Sequence, residues 1–246
     1  YAPTVISVFL AATATKVAVY VMLRVVFGVF SNDFVSITPA DDLFLLLGVI
    51  GVILASLAAI SQDDVKRMLA YSTISHVGFL LLGILSGTQQ GYAASMFYII
   101  TYALMAAGAF GMIILLSRAG FEADEIGDFK GLNQRNSWFA FMMLILMFSM
   151  AGVPPTVGFY AKLSVLEAVI DIDMIWLAAV AVFFSVIGAF YYIRLIKVMY
   201  FDTAEDDQPL ASQFDLRLGL TANGLAVLLL GIFPGSLMAL CHQVIS

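Results

Sequence analysis

Long, nearly uninterrupted apolar runs dominate this chain. Seven stretches, at about 5–30, 42–60, 68–86, 91–117, 137–170, 174–199 and 216–240, stand out. Each is long enough for a helix to cross a hydrocarbon core of roughly 30 Å, which takes about 20 residues. Backbone polar groups find no water in lipid, so only helices or a closed barrel can span it. The stretches show no alternation of period two and are far too long for barrel strands. The pattern predicts an all-α, polytopic transmembrane helical bundle of about seven transmembrane helices. A single transmembrane domain over residues 1–246 accounts for all of it.

Composition agrees. Of 246 residues, 62% are apolar and 11% charged, whereas a soluble domain has roughly 45–50% and about 25%. Collagen, disorder, a disulfide scaffold and a nucleic-acid-binding domain are excluded on that ground, which leaves the lipid bilayer as the expected surrounding and nucleic acid as no partner. The lone thiol, Cys241, cannot form an internal disulfide or a cluster site. No phosphate-cradling glycine loop, Cys cluster or haem-ligating His pair is visible, so no cofactor or metal site is expected in this chain. The chain opens at Tyr1, and its first apolar stretch is long and carries Lys16, unlike a signal peptide. A fragment lacking an N-terminal part is expected.

The fifth stretch is anomalous. Ser137 to Ile170 is 34 residues, too long for one straight pass and too short for two with an ordinary loop. In its middle lies Ala151-Gly152-Val153-Pro154-Pro155-Thr156. Pro154 and Pro155 remove two backbone donors and clash with the preceding turn, so the helix breaks there. Either one discontinuous helix crosses the membrane, or a re-entrant hairpin returns to its starting side. Charge bias separates the two. With a single crossing, 8 of the 11 basic residues fall on one side: Lys66, Arg67, Arg118, Lys130, Arg135, Arg194, Lys197 and Arg217. Arg24 points to the other side, and Lys16 and Lys162 lie inside apolar stretches. A hairpin would move Arg194, Lys197 and Arg217 outside. The positive-inside rule therefore favours the broken single crossing, a cytoplasmic start and an external C-terminus.

Broken helices at membrane depth are tolerated where protein buries them or where they line a wet cavity, and transporters use them to handle ions. A simple proline kink is the plainer alternative. The break would leave carbonyls near Met150 and Ala151 without helical partners, to be satisfied by water or side chains. The half-helix resuming near Thr156 directs its positive end towards the gap.

Three ionisable residues lie deep. At 1.5 Å per residue, Lys16 is roughly 17 Å into its helix, His76 about 14 Å in from Arg67, and Lys162 about 12 Å from the outer end at Ile170. A mid-membrane Lys costs around 2.5–3.5 kcal/mol on insertion scales. Desolvation disfavours a charged ammonium, which suits such a group to proton exchange, and histidine titrates near neutrality. Pairing with a backbone carbonyl, or a satisfied core hydrogen bond for His76, is the plainer reading of each residue alone. Three together, beside a broken helix and with no buried carboxylate nearby, point to a proton relay. Glu167 reads as interfacial. Gly48, Gly51, Gly83, Gly87, Gly108 and Gly111 read as helix-packing positions. The segment 121–136 reads as a polar cytoplasmic connection with a short surface helix, and 202–207 as a solvated acidic loop.

Two segments carry a resemblance. Gln62-Asp63-Asp64-Val65-Lys66-Arg67-Met68-Leu69-Ala70-Tyr71-Ser72-Thr73-Ile74-Ser75-His76-Val77-Gly78 is similar to the signature of the antiporter-like subunits shared by respiratory complex I and Mrp-type cation/proton antiporters. Met147 to Lys162 resembles that family's broken twelfth helix. Gly131 to Asn136 and Tyr191 to Tyr200 resemble the bacterial NADH-quinone oxidoreductase (complex I) branch, and Tyr1-Ala2-Pro3-Thr4 the segment leading into the eighth helix.

The resemblance covers essentially the whole chain, as helices eight to fourteen of fourteen. It implies that Lys16, His76 and Lys162 belong to a central hydrophilic axis, with Lys162 on the outward proton route. It implies a proton-translocating subunit driven by electron transfer elsewhere, with NADH, FMN, iron–sulfur clusters and quinone carried by partner subunits. The partners would be the other membrane subunits of complex I, and the location a bacterial cytoplasmic (inner) membrane with a periplasmic C-terminus. The family's first half, with the Glu and Lys of its fifth and seventh helices, is absent. Ser137 stands where the family usually has Pro, which affects a helix start. An Mrp-type cation/proton antiporter subunit without a redox partner stays open, as does a scaffold whose lysines are inert.

Overall fold

The computed structural model describes residues 6, 15–28, 40–117, 122–204 and 214–245. Among these, α1 (Thr15–Gly28), α2 (Ala40–Ile60), α3 (Val65–Leu85) and α4 (Gln89–Leu116) come first. A 3-10 turn (Ile126–Phe129) and the short α5 (Leu132–Arg135) follow, then α6 (Ser137–Ala151), α7 (Val157–Ile170), α8 (Ile175–Phe201), α9 (Phe214–Ile232) and α10 (Gly235–Ile245). Five helices, α2, α3, α4, α8 and α9, are long and apolar enough to cross a membrane. The pair α6 and α7 makes one further crossing, and α1 covers the described part of the first stretch.

Local chemistry starts the helices. Asp64 caps α3 by accepting from Arg67 N–H (2.9 Å), Thr88 caps α4 through Gly91 N–H (3.1 Å), and Asn136 caps α6 through Phe139 N–H (3.1 Å). Each satisfies an N–H that the first turn leaves unpaired. The most extensive packing joins α2 to α3. There Gly78 lets the helices close: a Cβ on it would lie 2.8 Å from Gly48 O and 2.9 Å from Val52 N. α4 is the hub, touching α1, α3, α6, α7, α9 and α10. Asn223 of α9 donates from Nδ2 to Leu104 O (3.0 Å), and its side chain packs against Gly108, where a Cβ would collide with it.

The broken pair crosses the bundle once. At one end, Arg194 near the close of α8 bonds Asp63 and Gln62 O, and Gly131 N–H, just before α6, donates to Val198 O (3.2 Å). At the other end, Gly83 near the close of α3 lies beside Val165, near the close of α7. α6 therefore starts at the Asp63 end, and α7 finishes at the opposite one. The hairpin is ruled out.

Two expectations need correction. The seventh stretch is not one span to residue 240: α9 stops at Ile232 and α10 begins at Gly235, because Pro234 has no N–H to carry the ladder on. The connection at 121–136 is not simply a surface segment. Ala123, Phe129 and Leu132 are fully buried, inserted into the end of the bundle. Lys66 pairs there with Glu122 and Asp124, and Val65 N–H donates to Asp124 O (2.6 Å). The acidic loop lies outside the described residues from 205 on.

Candidate functional site

The break lies between Ala151 and Val157, where the prolines place it. α6 ends in a Schellman motif: Gly152 N–H donates to Ser149 O (3.0 Å) and Val153 N–H to Phe148 O (2.9 Å). Gly152 takes φ +87°, a conformation that disfavours any residue with a Cβ. The Pro154-Pro155 bond is cis. Ser149, fully buried, joins the two halves: its Oγ accepts from Gly158 N–H (3.0 Å) and donates to Met105 Sδ on α4 (2.8 Å). Gly158 lies so close to Ser149 O that a Cβ would overlap it.

Lys162 sits on the second turn of α7. Helical side chains lean towards the N-terminus, and this one reaches back across the break. Its Nζ donates to Ala151 O (3.0 Å) and to Ser185 Oγ on α8 (2.7 Å), and lies 5.3 Å from the Phe79 ring centroid. A carbonyl freed by the prolines is thus satisfied by the lysine itself. The ammonium rests at the C-terminal, negative end of α6 rather than by the positive end of α7, because its four-carbon stem spans the gap.

His76 is buried on α3. Its Nδ1 meets the Tyr98 hydroxyl (2.8 Å) and its Nε2 the Tyr192 hydroxyl (3.1 Å), and its ring stacks on Tyr102 at 4.3 Å. The Tyr102 hydroxyl in turn meets Thr73 Oγ1 (2.8 Å). A neutral imidazole donates at one nitrogen and accepts at the other, and a phenol does either. A proton arriving at one nitrogen can therefore leave from the other.

His76 and Lys162 line one cavity together with Ser56, Ser75, Ser185 and Tyr192. Ser56 and Ser75 hydroxyls lie 3.2 Å apart. The cavity holds about 10 Å³, close to the space that a single water needs. The structure thus brings two of the three relay candidates to one polar space. A second small cavity, on the other side of His76, is lined by Val19 of α1 with Tyr98 and Tyr102. Lys16 lies one turn before Val19 on α1, and its side chain lies outside the described residues. Glu167 is exposed, away from this cavity. Among the described residues no group of three or more His, Cys, Asp or Glu could hold a metal ion.

Tyr98, Tyr102, Tyr192 and Ser185 escape a reading of the sequence. Hydroxyls scattered through apolar stretches carry no charge to mark them. The available signal is spacing: Tyr98 and Tyr102 share a face of α4, and both reach His76.

Residues 1–188 match the family model described as NADH:quinone oxidoreductase/Mrp antiporter, TM. The chain belongs to this family. It is similar to a protein named NADH-quinone oxidoreductase subunit N from Thiobacillus denitrificans, with 55% identity over 99% of this chain and 50% of that protein. Among solved structures it resembles the membrane-bound sulfane sulfur reductase, an archaeal respiratory membrane complex. The TM-score there is 0.88 at 27% identity, over 99% of this chain and 49% of that one. It also resembles respiratory complex I from Thermus thermophilus, with a TM-score of 0.72 at 27% identity over 80% of this chain and 45% of that one. The chain spans about half the length of the curated relatives it matches.

Proposed function

We propose that this chain is part of the antiporter-like, proton-translocating membrane subunit of a bacterial NADH:quinone oxidoreductase. Protons move through a relay of Lys16, His76 and Lys162, driven by electron transfer in partner subunits that carry NADH, FMN, iron–sulfur clusters and quinone. The partners are other membrane subunits of the complex. The location is the inner membrane, with the C-terminus periplasmic. The observation that carries this reading is the polar cavity joining His76 to Lys162 beside the broken helix. The names of relatives 55% and 52% identical to this chain support complex I over an Mrp-type antiporter.

The relay has a physical sequence. Among the described residues Lys162 is held by a carbonyl and a hydroxyl and by no carboxylate, so loss of its proton strands none of them. His76 passes a proton between its two nitrogens through the Tyr98 and Tyr192 hydroxyls. A water in the shared cavity completes the step to Lys162. The test is Lys162→Ala in the whole complex, in inverted membrane vesicles. NADH-driven acidification is expected to fall to near background, while electron transfer from NADH to a soluble artificial acceptor and subunit assembly persist. Normal acidification with normal assembly overturns the relay. Sodium-dependent proton flux without NADH assigns the chain to the Mrp branch instead.

A further inference from the structure

α2 enters the site through one residue. Between Asp42 and the end of the helix at Ile60, Ser56 is its sole polar side chain. Ser56 is buried, and its Oγ lies 3.2 Å from Ser75 Oγ on α3, where either oxygen can be the donor. Both serines line the cavity shared by His76 and Lys162, and Gly188 of α8 lines it facing Ser56. A Cβ on Gly188 would meet the Tyr191 hydroxyl at 3.4 Å and Ser56 Oγ at 3.6 Å, ordinary contact distances. Close packing therefore does not call for this glycine, unlike Gly78 or Gly158, whose Cβ would collide with backbone. Glycine in a helix interior is also less favourable than alanine. What Gly188 leaves is the room itself.

We propose that Gly188 keeps this room for one water, and that Ser56 and Ser75 position that water between the Tyr192 hydroxyl and the Lys162 amine. The inference rests on the relay proposed above and names the residues of its water step. The cavity's volume of about 10 Å³ accommodates one water centre, and a methyl group on Gly188 would occupy it. In the step, protonated His76 gives its Nε2 proton to the Tyr192 oxygen, the Tyr192 hydroxyl proton passes to the water, and a water proton passes to the neutral Lys162 amine. Imidazolium and amine become imidazole and ammonium, with phenol and water restored. The water must then turn, because each hop along such a chain reverses its hydrogen bonds. A carbonyl, an acceptor alone, would resist the turn. The serine pair follows it: whichever Oγ donates within the pair, the other keeps an O–H to offer, and both keep lone pairs. Ser56 and Ser75 are thus positioning residues. A buried hydroxyl pair also serves simply to join two helices. Gly188 separates the two roles, because it takes no part in that joint.

The test uses the whole complex, with electron cryo-microscopy maps that resolve water and NADH-driven acidification in inverted vesicles. One ordered density is expected within hydrogen-bonding distance of Ser56 or Ser75, and none there in Gly188→Ala. That variant should assemble, hold or raise its thermal midpoint, and pump near background. Ser75→Ala should pump about tenfold more slowly, the loss of one hydrogen bond. Ser75 is the more open of the pair, 7% exposed against 1% for Ser56, so Ser75→Thr should restore the rate. Wild type without the density, Gly188→Ala that pumps normally, or Ser75→Thr that pumps no better than Ser75→Ala overturns the proposal. So does a lowered thermal midpoint in Gly188→Ala, which would make the glycine a packing position. Lys162→Ala, measured alongside, keeps the two readings apart: normal pumping there ends the relay, whereas the density alone decides whether the water site exists.

Discussion

Tyr192 connects the two titratable ends of the site. Its hydroxyl meets His76 Nε2 at 3.1 Å, and it lines the cavity that reaches Lys162. Tyr192→Phe keeps the ring volume and deletes the hydroxyl, leaving a buried imidazole nitrogen without that partner at about 1–3 kcal/mol. Pumping per NADH oxidised is expected to fall about tenfold, with the subunit still assembled, as read by dye quenching in vesicles. Ser185→Ala removes the 2.7 Å acceptor from Lys162. Pumping is expected to fall by a similar factor and to recover in Ser185→Thr, which restores a hydroxyl. Lys162 and His76 were legible in the sequence because a titratable group in lipid is energetically conspicuous. Tyr192 and Ser185 were not. A hydroxyl in an apolar stretch is compatible with many environments, and three-dimensional proximity across α3, α7 and α8 is what gives these two a role.

Two discontinuities meet at the level of the break. α9 runs in alongside α6, where Trp138 Nε1 donates to Thr221 Oγ1 (3.0 Å), and reaches the gap at Gly231. A Cβ on Gly231 would collide with backbone of the break, Pro155 O first and then Thr156 and Val157 at 2.5 Å. Backbone cannot yield as a flexible side-chain tip can, so Gly231→Ala must displace either α9 or the segment that sets Lys162 in place. Overpacking of this kind destabilises by about 1–3 kcal/mol. A lower thermal midpoint of the purified complex and weaker pumping are expected. Gly219→Ala is the control: its Cβ meets nothing within 4 Å, and both quantities should hold. An unchanged complex with Gly231→Ala would show that the two breaks are mechanically independent. The Pro154-Pro155 break was legible because two adjacent missing donors within 34 apolar residues admit no continuous helix. The second was not, since a single proline near the end of a run reads equally well as the terminus of an ordinary span.

At the scale of the molecule, a proton path has direction only if the two ends of the bundle face different compartments. The described residues settle their relative placement. Lys66, Arg194 and the segment before α6 gather at one end, tied by ion pairs to Asp63, Glu122 and Asp124. α7 closes at the other end, so Asp171 lies a full crossing away from Gly131. The proposed absolute orientation rests on charge, since basic residues at a loop end favour the cytoplasm. Single cysteines then give a direct readout in a background where buried Cys241 is replaced by Ser. Gly127 is exposed, with no atom within 4 Å of its Cβ position, and Asp171 is exposed at the end of α7. Gly127→Cys should react with a membrane-impermeant maleimide in inverted vesicles and resist it in intact spheroplasts. Asp171→Cys should do the reverse. Labelling of both from one face would contradict the single crossing. Exchange of the two patterns would keep the fold and invert the direction, placing the Lys162 half of the proposed relay towards the cytoplasm.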